Sequence, residues 1–220
     1  MRTIRVTGKG KQQVHPDMTR ITIELEGKNY DYGTTLKKSS ESTEKLKELF
    51  AGFGFERTDL KTLYFNIDTE YESYKENEVY KRRFDGYKYI HRLKLEFESD
   101  NKLLGRILYA LAHSSLEPEF RISYTVKDPE AVKNELLGRA VQDAMTKAKV
   151  LADAAGLSLG DIQNVDYSWG RMEFEVQPMA RGMGVDDCCM PPTCAEGYDM
   201  DIEPDDIDVE DTVTVVWEIR

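Results

Sequence analysis

The stretch that decides the fold runs Asp128-Pro129-Glu-Ala-Val-Lys-Asn-Glu-Leu-Leu-Gly-Arg-Ala140-Val-Gln-Asp-Ala144-Met-Thr-Lys-Ala148-Lys-Val-Leu-Ala152-Asp-Ala-Ala155-Gly156. Asp128 can cap a free helical N–H. Pro129 supplies a fixed φ at the first helical position, where its missing donor costs nothing. Gly156 is a stop signal, so a helix is predicted to about Ala155. Within it Ala140, Ala144, Ala148 and Ala152 recur every four residues and line one face. Small side chains at that spacing let another backbone approach closely, so this face is expected to pack tightly on a sheet or another helix.

The segments on either side are mostly β. Thr3–Val14 and Met18–Gly27 flank a His15-Pro16-Asp17 turn signal and read as an N-terminal hairpin, with Ile21, Ile23 and Leu25 on one face. A helix is predicted over Thr34–Phe50, with Leu36, Ser40, Thr43, Leu46, Leu49 and Phe50 as its inner stripe and Gly52 as its stop. Two long strands follow. Leu63, Phe65 and Ile67 alternate in the first, and Tyr87, Tyr89, His91, Leu93, Leu95 and Phe97 share a face of the second. The tyrosine-rich, charged segment between them, Tyr71 to Phe84, reads as a hairpin arm with its tip near Glu76-Asn77-Glu78. Asp100 caps a short helix with Leu103, Leu104, Ile107, Leu108 and Leu111 inward, and a strand spans Phe120–Val126. After Gly160 one strand is expected through Val165, Tyr167 and Trp169 to Val176, and a last one at Thr212–Ile219. The order β-β-α-β-β-α-β-α-β-β predicts an α+β fold of mainly antiparallel sheets with three helices packed on one side. It reads as one domain over residues 1–220, with two related lobes, 1–99 and 100–220, as an alternative division.

The chain has 220 residues and a formal net charge of −11. The charge is local. Gly182 to Asp211 holds 11 acidic residues and no Lys or Arg, which leaves 30 acids and 30 bases elsewhere. A neutral body offers no basic field for phosphate backbones, so nucleic acid is not an expected partner. The acidic stretch, residues 182–211, reads as a mobile loop of uncompensated charge. No apolar run is long enough for a membrane span. The N-terminus lacks an apolar signal-peptide core and a cleavage site, which makes the cytoplasm the expected location.

No catalytic constellation is evident, so the chain reads as a non-enzyme with no cofactor. Gly156-Leu157-Ser158-Leu159-Gly160 matches G-x-S-x-G, but that motif needs a strand entering and a helix leaving, and here the order is reversed. Gly8-Lys9-Gly10 lacks the remainder of a phosphate loop and reads as strand glycines that permit a bulge or close contact. His15, His91 and His113 have no metal-ligand spacing. Cys188, Cys189 and Cys194, with methionines around them, supply soft donors without the C-x2-C spacing of a zinc knuckle, and are the weak candidates for a metal or redox site. Asp199, Asp201, Glu203, Asp205 and Glu210 mimic a calcium loop, but Pro204 stands where that loop needs glycine. Tyr71, Tyr74, Tyr80, Phe84, Tyr87 and Tyr89 are the interface candidates, since tyrosine combines rigid contact area with a hydroxyl. A homo-oligomer or a protein partner is therefore the expected assembly.

The pattern as a whole resembles the SIMPL domain family, which includes YggE-like proteins. The opening Val6-Thr7-Gly8-x-Gly10 with Pro16-Asp17 is similar to that family's. So are Gly54-Phe55 with Thr58-Asp59-Leu60-Lys61-Thr62, Gly86-Tyr87, and the closing Val213-x-Val215-x-Trp217. The most specific part is Val126-x-Asp128-Pro129 followed by the alanine-striped segment through Gly160. The resemblance implies an α+β fold and a tendency to form ring-like or other oligomers. It further implies kinship with exported proteins tied to oxidative-stress tolerance, which makes the periplasm the alternative location, and with an adaptor in kinase signalling. It implies no catalytic residues.

Overall fold

The computed structural model describes residues 2–76, 79–167, 174–177 and 202–220. The described elements are β1 (Thr3–Val14), β2 (Met18–Asn29), α1 (Tyr32–Ala51), β3 (Lys61–Glu76), β4 (Val79–Glu98), α2 (Asn101–Ala112), β5 (Glu119–Thr125), α3 (Pro129–Ala154), β6 (Leu159–Asp166), β7 (Glu175–Val176) and β8 (Ile207–Ile219). The α+β class with antiparallel sheets is as the sequence predicts. Two compact units divide the chain. The first combines Met1–Asp17, Tyr124–Val176 and Pro204–Arg220, and the second is built mainly from Met18–Ser123. The units interleave along the sequence.

In the first unit the sheet order is β1-β8-β6, with β8 antiparallel to both neighbours. Helix α3 lies on this sheet. Its N-cap is Asp128, whose carboxylate accepts from the Ala131 N–H at 2.9 Å, and Gly156 adopts the left-handed φ of +73° that ends it. Ala140, Ala144 and Ala148 are buried against Val6, Val213, Val215 and Trp217. The close approach that the alanines permit is met by glycine on the strand. A Cβ placed on Gly8 would sit 2.0 Å from the Ala140 carbonyl oxygen, and one on Gly10 2.2 Å from that of Leu136. Glycine and alanine together thus bring helix and strand backbones into contact. A second cluster, Val126, Leu136, Ile207 and Val209, continues this core.

The expected N-terminal hairpin does not form. β1 pairs along its length with β8, from Thr3↔Glu218 to Val14↔Ile207, while β2 pairs with β4. The Pro16-Asp17 turn is real, but it redirects the chain. The Asp17 N–H donates to the Thr125 carbonyl at 3.2 Å, and the Asp17 carboxylate accepts from the Lys127 N–H at 2.7 Å. The single strand expected after Gly160 is instead two. β6 joins β8, whereas β7 pairs with Tyr124 and Thr125 at the end of β5. β8 begins at Ile207 rather than Thr212. Ile207, Val209 and Asp211 point into the core, so the last residues of the acidic stretch belong to a strand, where every second side chain must be accommodated inside.

In the second unit the sheet order is β3-β4-β2-β5, and α1 and α2 bury their inner faces with it in one cluster. Ile21, Ile23, Leu25, Leu46, Leu93, Leu95, Leu104, Ile107 and Leu111 form its fully buried centre. Helix α1 is turned from its expected orientation. Its buried stripe is Thr35, Ser39, Thr43, Leu46 and Phe50, while Leu36 is 45% exposed. Small hydroxyl side chains can be buried there because the helix itself satisfies them. Thr35 Oγ1 donates to the Asp31 carbonyl at 2.9 Å, and Thr43 Oγ1 to that of Ser39 at 2.8 Å.

Candidate interaction site

Strands β3 and β4 form a long antiparallel hairpin, in register from Lys61↔Lys94 out to Glu76↔Val79. Bulges between Thr62 and Tyr64 and between Glu70 and Tyr71 interrupt it and raise its twist. Gly86 stands opposite Glu70 with φ +116°, and a Cβ there would lie 2.7 Å from the Asn29 carbonyl oxygen, so glycine is required at the second bulge. β3 is the terminal strand in the sheet order. Leu63, Tyr64 and Phe65 are exposed near its start, and Tyr71 and Tyr74 further out.

The structure divides the six predicted interface residues. Tyr71, Tyr74, Tyr80 and Phe84 are exposed, Tyr80 by 77%. Tyr87 is half-buried and makes edge-to-face contacts with Tyr32 at 5.4 Å and Phe84 at 5.3 Å. Phe84 in turn meets Tyr71 at 6.0 Å. This ladder holds the four rings against one another along the arm. Tyr89 is different. It is 3% exposed, lies over Gly27, and donates to Ser42 Oγ at 3.3 Å. It is a core residue, because the strand alternation that puts the half-buried Lys88 and Ile90 on the opposite face sends Tyr89 under α1. Sequence reasoning missed Tyr30 and Tyr32, which extend the exposed aromatic surface from the end of β2.

Many of the arm's charges are matched. Glu72 receives Arg83 at 2.8 Å, Glu26 receives Lys88 at 2.6 Å, and Glu70 receives Lys28 at 2.9 Å. Lys28 also pairs with Asp85, whose carboxyl it holds below the usual carboxylate range. Arg82 lies over the Tyr71 ring at 5.2 Å. Cations engaged in this way do not form the unopposed basic track that single-stranded nucleic acid needs.

His91 anchors a second feature. A cavity of about 340 Å³ is lined by Leu36, Ser39, Thr43, Glu44, Lys47, Thr62, Phe65 and His91 among others. His91 is 8% exposed. Its Nδ1 lies 3.0 Å from Thr43 Oγ1, its Nε2 lies 2.9 Å from Thr62 Oγ1, and Phe65 meets the ring edge-on at 5.1 Å. Burial, and secondarily the charge of Lys47, pushes the imidazole pKa below its ordinary value. A hydroxyl beside a histidine whose other nitrogen is oriented by a third group has the outline of an activated nucleophile. Here the orienting group is a threonine rather than a carboxylate, and Lys47 opposes the imidazolium that a general base must become. The arrangement therefore favours a neutral, structural imidazole.

The other predicted motifs do not converge. His15 lies 3.1 Å from Asp206 in the first unit, while His113 stacks on Tyr109 at 4.1 Å in the second. The Ser158 hydroxyl donates to the Arg220 carbonyl at 3.3 Å, and its N–H donates to the same oxygen at 2.8 Å, so this serine extends the β6–β8 pairing and sits on no elbow. Of the residues that mimic a calcium loop, Glu210 belongs to β8 and pairs with Lys9 at 2.6 Å, while Asp199 and Asp201 lie outside the described residues. Cys188, Cys189 and Cys194 lie outside the described residues. Among the described residues no group of His, Cys, Asp and Glu is arranged to hold a metal ion, and no helix is long and apolar enough to cross a membrane.

The profile of the SIMPL family, described as a protein of unknown function (DUF541), matches residues 4–217, and the chain belongs to this family. It is similar to the 26 kDa periplasmic immunogenic protein of Brucella melitensis, with 28% identity over 180 residues that cover 81% of this chain and 71% of that protein. It is similar also to the uncharacterized protein YggE of Edwardsiella ictaluri, with 21% identity over 97% of this chain and 85% of that protein. For YggE of Escherichia coli the figures are 22%, 99% and 83%.

Proposed function

We propose that this SIMPL protein is a non-enzymatic binding or scaffold protein that self-associates through the β3–β4 arm. The observation that carries the reading is the position of β3. A strand of 16 residues ends the sheet order and displays Leu63, Tyr64, Phe65, Tyr71 and Tyr74. An open edge with exposed aromatics is an aggregation hazard unless a partner covers it, and strand addition plus aromatic packing is the cheapest cover. Two bulges and the acids Asp68, Glu70 and Glu72 restrict which partner strands fit, which turns a sticky edge into a selective one. Light scattering on size-exclusion fractions tests this. A concentration-dependent oligomer that shrinks when Tyr71–Phe84 is replaced by a short turn supports the reading. A monomer at high concentration sinks it.

The Brucella relatives are named as periplasmic, which supports the periplasm as the compartment of this assembly, with the cytoplasm as the alternative. Fractionation of the native host distinguishes them. A link to oxidative-stress tolerance is tested by peroxide survival with and without the protein.

A further inference from the structure

The hydrogen bonds around His91 specify one protonation state. Thr43 Oγ1 gives its hydrogen to the Ser39 carbonyl, so toward His91 it can only accept. Nδ1 must therefore carry the ring proton. Nε2 is then the acceptor, and the Thr62 hydroxyl 2.9 Å away donates to it. The chain runs in one direction, from Thr62 on β3 through His91 on β4 to Thr43 and Ser39 on α1. A second ring proton on Nε2 would meet the Thr62 hydrogen head-on and force that hydroxyl to turn away.

The surroundings offer an imidazolium little. From α1 the facing charged groups are Lys47, which repels it, and Glu44, which is already held by Arg57 and by Lys47 at 3.6 Å. From β3 the facing residues are Thr62 and Phe65, neither of them ionisable. Leu25 stands opposite on β2, and Tyr89 and Leu93 flank His91 on its own face of β4. The Tyr89 hydroxyl donates to Ser42 Oγ.

We propose that the Thr62–His91–Thr43 chain is an acid-sensitive latch, which ties the root of edge strand β3 to helix α1 and releases when the imidazole takes a second proton. The sign follows from linkage. An opened His91 takes its proton near the ordinary value of 6.5, whereas the latched ring takes it only at lower pH. The latch is at full strength above that value. Below it, opening rises as the pH falls, by at most about tenfold per pH unit, until the latched ring itself takes the proton. The inference does not depend on what the arm binds.

Hydrogen exchange on the full chain tests it, read at the amides of Thr62 to Phe65 over about pH 7.5 to 5 and corrected for intrinsic rates. Opening of these amides is expected to rise in acid while that of Val213 and Val215 in the first unit stays flat. His91→Gln keeps one donor and one acceptor but cannot titrate, so its opening should be independent of pH. Equal pH dependence in both proteins, or none in the wild type, overturns the latch. If His91→Gln does not fold, the wild-type ring decides by NMR. A ring titrating below its ordinary value with Nδ1 protonated at neutral pH supports the proposal, and one titrating at or above that value refutes it.

Discussion

Gly8→Ala places one methyl group where the first unit has no room. Its carbon would lie 2.0 Å from the Ala140 oxygen, 2.4 Å from the Ala144 nitrogen and 2.7 Å from the Ala144 Cβ, whereas ordinary contacts begin at 3.4 Å. The shortfall at the oxygen is about 1.4 Å. Two of the three obstructing atoms are backbone, so no rotamer relieves it. Either α3 backs away from β1, thinning its contacts with Val215 and Trp217, or the strand buckles. Overpacking by one methyl costs roughly 1–3 kcal/mol, and a backbone obstruction puts this site at the top of that range or beyond. At about 2–4 °C per kcal/mol for a chain of this size, the melting transition should fall by roughly 6–12 °C. Gly10→Ala meets the Leu136 oxygen at 2.2 Å on the same helix and should cost a similar amount. One outward shift of α3 relieves both clashes, so the double variant should lose less than the sum of the singles. Gly138→Ala is the control. It adds the same methyl to α3 where nothing lies within 4 Å, and should be neutral or stabilising by up to about 1 kcal/mol. Urea unfolding followed through tryptophan fluorescence and far-UV circular dichroism reads all four. If Gly8→Ala stays within about 0.5 kcal/mol of wild type, or the double variant is fully additive, the account of helix–strand contact is wrong.

Other perturbations separate core from surface. Trp217→Ala removes the largest fully buried side chain among the described residues and should destabilise the first unit by about 3–5 kcal/mol in denaturant titrations. Asp128→Ala removes the cap on the Ala131 N–H and should cost about 1 kcal/mol, measured the same way. Tyr80→Ser should leave unfolding within about 0.5 kcal/mol while weakening self-association in sedimentation experiments. Tyr89→Ala, nine positions away, should cost roughly 3 kcal/mol or more and report the opposite pattern.

These contrasts show which features the sequence made legible. The alanine stripe of α3 and its Asp128-Pro129 start are periodic and local, and both read correctly. Gly8 and Gly10 announce close contact, but their partners at Leu136, Ala140 and Ala144 lie more than 120 residues away and leave no local mark. The His15-Pro16-Asp17 turn is equally local, whereas the pairing of β1 with β8 is not, so adjacency wrongly suggested a hairpin. Helix α1 misled through Leu36, because hydrophobicity outranks the hydroxyls that the helix actually buries. At the candidate site the aromatic arm was visible as composition. Its edge position was invisible, and so were the partners of His91, which come from 48 and 29 residues away.

The β1–β8 pairing also sets a timetable for synthesis. β8 emerges some 200 residues after β1. At about 5–20 residues per second the first strand waits roughly 10–40 s for its partner. Residues 18–123 form a nearly contiguous unit and can organise during that interval. β1 must stay unpaired without finding a wrong neighbour. Its sequence suits the wait, since Gly8, Lys9, Gly10, Lys11, Gln12 and Gln13 make it the least adhesive kind of strand, lacking a run of apolar residues. The same glycines that let α3 sit close in the finished protein therefore keep the nascent chain from sticking before α3 exists.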